Sequence, residues 1–143
     1  MTITKEEEIN AALFDRLRSL SGLAICERNR DVPVDTFPAV VLRDGDPTPD
    51  YNREVATIWW SMQPEIELFV EADEPSELGP AMASLYAKVS AAVLADATLG
   101  GATEDLIEAE NKQLPLMAEG KRPTMGRVLT LDARWTTAIT TRT

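Results

Sequence analysis

The chain has 143 residues, 44% of them hydrophobic, a length that suits one domain with a real core. Its 24 acidic and 14 basic residues give a net charge of −10, spread along the chain, which argues against phosphate-driven DNA or RNA binding, since that needs clustered Lys and Arg. Histidine is absent, which excludes His-based triads and His metal sites.

Thr4 and Glu7 have capping-box spacing, and Ile9, Leu13, Leu17 and Leu20 recur along one face. The spacing predicts an amphipathic helix from about Lys5 to Ser21, ended by Gly22. The acidic opening from Met1 to Asn10 has no signal-peptide pattern, and no apolar run reaches bilayer length, so a soluble cytosolic product without membrane contact is expected. Leu23 to Arg28 reads as a short strand. Cys26, the single cysteine, has no internal disulfide partner and is expected to be structural, in a reducing compartment. Asp31 to Thr36 is a loop broken by Pro33.

Phe37 to Arg43 is β-rich, and the run Val40, Val41, Leu42 suits a strand covered on both faces. Asp44 to Asp50 reads as an acidic turn segment. Strand character resumes from Tyr51 to Met62, with a bulge or bend expected at Gln63-Pro64. Beyond it Ile66, Leu68 and Val70 alternate with Glu65, Glu67 and Glu71. A second helix is expected from Asp73–Ser76, or from Pro80, to about Asp96, with Met82, Leu85, Tyr86, Val89 and Val93 on one face. Thr98-Leu99-Gly100-Gly101 turns the chain. Thr103 to Met117 reads as an irregular strand, Ala118 to Arg122 as a turn, and Thr124 to Thr140 as a half-buried strand in which Leu129, Leu131, Ala133 and Trp135 face inward. The whole predicts one α+β domain over residues 1–143, an antiparallel (mixed) sheet with two main helices packed on one face.

Asp44, Asp46 and Asp50 are spaced like the start of a calcium loop, but the sixth and twelfth positions hold Pro49 and Val55 where an EF-hand needs Gly and Glu, so a solvated loop is expected. Glu65, Glu67 and Glu71 alternate with apolar residues and read as the wet face of a strand, not an acid–base pair. Gly100-Gly101 lacks the lysine and hydroxyl residue of a phosphate loop and follows a helix. No catalytic residue, cofactor site or metal site is therefore expected. Trp59-Trp60 stands apart, because adjacent strand residues point to opposite faces, and an outward indole is favoured as an interface anchor.

The order of these elements resembles the tail terminator proteins of long-tailed bacteriophages and prophages. The residues that carry the resemblance are the N-terminal amphipathic helix, the strand Phe37-Pro38-Ala39-Val40-Val41, and the strand from Pro64 through Val70. They continue with the helix ending Ala92-Val93-Leu94-Ala95-Asp96, its Thr98-Leu99-Gly100-Gly101 turn, and the closing strand to Trp135-Thr136-Thr137. The chain departs at Trp135, where relatives would hold a tyrosine. The resemblance implies a virion tail component assembled in the bacterial host cytoplasm, a ring homo-oligomer, commonly a hexamer, that stops tail-tube polymerisation. It implies the tail-tube protein and head-tail connector proteins as partners, with DNA passing through without specific binding. Arg43, Asp44, Asp46, Tyr51, Trp59, Trp60 and Arg134 are the candidate interface residues. Another head-tail connector or neck completion protein is the alternative within assembly; a small enzyme or a cellular binding module is the alternative outside it.

Overall fold

A computed structural model describes residues 4–51, 57–114 and 122–138. Helix α1 spans Lys5–Arg18, and its start is the expected one: the Thr4 hydroxyl accepts the Glu7 amide at 3.3 Å. Glu6, Glu7 and Glu8 fill the first turn and Arg16 and Arg18 the last, which complements the helix dipole. The helix stops at Arg18, short of Ser21, because the Ser19 hydroxyl donates to the Arg16 carbonyl at 2.6 Å and the chain turns there. Serine competes in this way with the helical ladder. Gly22, at φ +83°, belongs to the turn beyond.

Among the described residues seven strands form one mixed sheet: β1 (Ile25–Arg28), β2 (Ala39–Arg43), β3 (Thr48–Tyr51), β4 (Thr57–Met62), β5 (Glu65–Glu71), β6 (Asp105–Gln113) and β7 (Thr124–Ala138). β1 runs parallel to β2 and every other pairing is antiparallel. β4 and β5 lie end to end along β7. Met62 faces Ala133 and Glu65 faces Thr130, three steps on each strand, so no residue is inserted at Gln63-Pro64. Of the bulge or bend expected there, the bulge is absent: the ladder has a gap instead, left because Pro64 has no N–H; its carbonyl still accepts the Leu131 amide at 2.9 Å.

The irregularity sits on the other side of the same ribbon. Between the pairs Arg43–Glu65 and Thr48–Ser61 one strand takes five steps and its partner four, which places one extra residue within Asp44–Pro47. That segment was read as continuing in a turn to Asp50, with one strand from Tyr51 to Met62. In the structure Thr48–Tyr51 is a strand of its own, paired with β4, and the intervening residues 52–56 lie outside those described. Pro49 obscured this, but proline is tolerated on an edge strand such as β3. Gly45 seats the bulge. A Cβ there would stand 2.7 Å from the Gln63 carbonyl carbon, the Met62 Cγ and the Pro64 nitrogen, so only glycine lets the two ribbons close.

After a 3-10 turn at Pro75–Glu77, helix α2 spans Leu78–Leu94 and buries Leu78, Met82, Leu85, Val89 and Val93. Both helices cover one sheet face, where Ile9, Leu13 and Leu17 of α1 join them in a single cluster with Val40, Leu42, Met62, Ile66, Leu68, Leu129, Leu131 and Trp135. The Asp96 carboxylate closes the turn after α2, accepting from the Thr98 amide at 3.0 Å, the Thr98 hydroxyl at 2.7 Å and the Gly100 amide at 2.9 Å. These bonds, with Arg16 nearby, hold its pKa down at about 2. The fold is thus the α+β arrangement expected, and the described part of the closing strand ends at Ala138. The expected turn at Ala118–Arg122 lies outside the described residues except for Arg122.

Candidate assembly surfaces

Among the described residues, no helix covers the second face of the sheet. Alternation along β5 and β7 puts Glu65, Glu67, Phe69 and Glu71 there, with Val128, Thr130, Asp132 and Arg134 beside them. Its charges are largely matched within the chain: Arg43 meets Glu67 at 3.2 Å, Arg122 meets Glu71 at 2.8 Å and Asp73 at 2.9 Å, and Arg134 meets Asp132 at 3.0 Å. Gln63 also donates to Asp132 at 3.0 Å, which satisfies a carboxylate that is only 8% exposed. Arg43 further donates to the Arg30 carbonyl, drawing the loop after β1 against this face. Val41, on the same face, is 1% exposed as a result; the reading of β2 as covered on both faces holds.

The candidate interface residues divide among three places. Arg43, Trp59 and Arg134 lie on the open face. Trp59 is 43% exposed, whereas Trp60 turns to the helix-covered side, where its ring stacks on Trp135 at 6.3 Å and 9° and its Nε1 donates to the Thr137 hydroxyl at 2.9 Å. Asp44 and Asp46 sit in the bulge beside the start of α1. Tyr51 closes β3, and its side chain lies outside the description.

Around the bulge, Arg28 bridges Glu7 at 2.5 Å and Asp44 at 2.7 Å. Its hydrogen bonds hold both carboxyl groups below their ordinary values, and the two carboxylates push the guanidinium pKa further up. Glu6, Glu7, Asp44 and Asp46 line a polar hollow with Asn10, but Glu7 and Asp44 are committed to Arg28. No group of three or more acidic or cysteine side chains converges as a metal site among the described residues.

No family model matches the chain, and no curated protein matches it. Among the solved structures to which it is similar is a chain from the virion of a native gene transfer agent particle. The identity is 16% and the TM-score 0.45, over 90% of this chain and 94% of that one. So loose a likeness transfers no role.

Three features of the surface were not singled out in the sequence. Ile107 on β6 is 48% exposed and Val32 is 53% exposed. A groove of about 410 Å3 lies between the turn after α1 at Ser21 to Leu23, the Phe37-Pro38 segment and α2. Ile107 had a legible signal, an isoleucine among Asp105, Glu108 and Glu110 in a strand. The groove had none, because it is made by segments far apart in the chain. No helix among the described residues is long and apolar enough to cross a membrane.

Proposed function

We propose that this chain is a structural assembly protein of a long-tailed phage or prophage, a tail terminator that forms a ring on the end of the tail tube, stops its growth and offers a surface to the head connector. The observation that carries the reading is the split of the sheet. One face is sealed by two helices, while the other is an open, charge-paired surface that leaves Trp59 in water. Exposed aromatic side chains on such a surface are anchors for protein partners. The sequence resemblance supplies the particular assembly, and the Asp96-to-Gly101 turn on which it rests is a built feature, held by the carboxylate of Asp96.

In this reading the partners are further copies of the chain, the tail-tube protein and the connector, and no catalytic step is involved. A net charge of −10 lets DNA pass a lumen without being gripped, since phosphates find no cationic track. The test is electron microscopy of particles made without the protein. Overlong tubes lacking heads are expected; tubes of normal length joined to heads would end the terminator reading.

A further inference from the structure

The groove and the exposed edge strand are complementary, and we propose that β6 of one copy docks its Ile107 into the groove between α2 and the Phe37-Pro38 segment of the next. Leu23, Phe37, Pro38, Ala81 and Leu85 give the groove its apolar lining, Glu71 and Arg122 line it as an ion pair at 2.8 Å, and Lys88 lines it as well. Lys88 is exposed and enters none of the ion pairs among the described residues. In so acidic a chain, an uncommitted cation beside an apolar lining asks for an apolar residue flanked by carboxylates.

β6 offers that combination. Its register with β7 places Asp105, Ile107, Glu110 and Lys112 on the open face, Ala109 being the bulged residue between Glu108 and Glu110 and Asp105 and Glu110 flanking Ile107. Ile107 is 48% exposed and both acids are exposed. Trp59 fits the groove less well. It lies inside the sheet, with β3 and β7 on either side, and its neighbours across the ladder are Asp50 and Thr136. Among the described residues β6 pairs with β7 alone, and an edge strand of this kind can accept a neighbour.

The two surfaces are on opposite flanks of the subunit. Ala81, Leu85 and Lys88 form one stripe of α2 beside Phe37, while Tyr86 turns the other way to donate to Glu108 of β6 at 2.6 Å. A knob and a groove on opposite flanks make a head-to-tail contact, which closes into a ring or runs on as a filament. The inference deepens the proposed ring and rests on it only for the function of the assembly.

Sedimentation of the purified full chain tests it. Ile107→Asp and Lys88→Glu should each weaken self-association about tenfold or more, while thermal melting stays that of the wild type. Glu110→Lys should do the same alone, and an equimolar mixture of the Lys88→Glu and Glu110→Lys proteins should recover the oligomer, because each mixed contact then pairs opposite charges. Oligomers unaffected by the single variants, or no recovery in the mixture, would overturn the contact while leaving the ring itself standing. A wild-type chain that stays monomeric at every soluble concentration would also overturn it, and would leave the terminator reading to the microscopy of mutant particles.

Discussion

Two faces of one sheet, built from alternate residues of the same strands, have opposite characters. Leu68 is fully buried beneath the helices, while Glu67, one residue away, meets Arg43 at 3.2 Å on the open side. Leu131, fully buried, and Arg134, exposed and paired with Asp132 at 3.0 Å, repeat the contrast on β7. A fully buried leucine contributes about 1.5–3 kcal/mol, whereas a part-exposed ion pair contributes about 0–1 kcal/mol. Stability therefore lives on the helix side. The open side, relieved of that duty, is free to be shaped for partners.

The largest expected effect tests that division directly. Leu68→Ala should cost about 2–5 kcal/mol, and Glu67→Ala less than about 1 kcal/mol, measured by denaturant unfolding of both. Equal losses would erase the distinction between the faces. Gly45→Ala comes next. Its Cβ would meet two backbone atoms and a buried Met62 carbon at 2.7 Å, so the seam between the ribbons must shift, at about 1–3 kcal/mol. A melting temperature equal to the wild type would mean that the bulge yields freely.

The tryptophan pair sharpens the contrast within two adjacent residues. Trp60→Ala removes the stack on Trp135 and a hydrogen bond to Thr137, with an expected loss of about 1.5–3 kcal/mol. Trp59→Ala should change stability by no more than about 0.5 kcal/mol and reduce binding to the assembly instead. A large loss of stability from Trp59→Ala would return that indole to the core.

How much of this was legible depends on the range of the contacts involved. The capping of α1 by Thr4, the α2 stripe and the alternation in β5 and β7 are local patterns, and they fold as written. The opposite fates of Trp59 and Trp60 follow from the period of a strand, and only the pairing with β7 decides which indole goes inside. The bulge was misplaced because Pro64 looked like a break, whereas the inserted residue is revealed only by comparing registers across two strands. The partners of Arg16, Arg43 and Arg134 were hidden for a similar reason. Each already meets an acid of its own chain, Asp96, Glu67 and Asp132, which no one-dimensional reading can see.

The smallest effect concerns a place where charge supports the helix-covered side. Arg28 pairs with Leu42 in the sheet and reaches both Glu7 of α1 and Asp44 of the bulge, so it fastens the start of the helix to the seam. Both carboxyl groups, ordinarily near 4.5 and 3.8, are lowered in the folded chain by their bonds to Arg28. A lowered folded value means that the unfolded chain binds protons first. The stabilisation is then fully present above the ordinary values and is lost as pH falls through the folded ones. The side chains of Glu7 and Asp44 are 44% and 31% exposed, so water screens the pair and the effect stays modest. Arg28→Leu should melt below the wild type at neutral pH, and the gap should narrow as pH drops below the ordinary carboxyl range. Asp96, held at about 2 by its own turn, leaves both proteins with the same residual loss at still lower pH and serves as an internal reference. A gap unchanged from neutral to strongly acidic solution would show that Arg28 acts through the packing of its stem against the core rather than through Glu7 and Asp44.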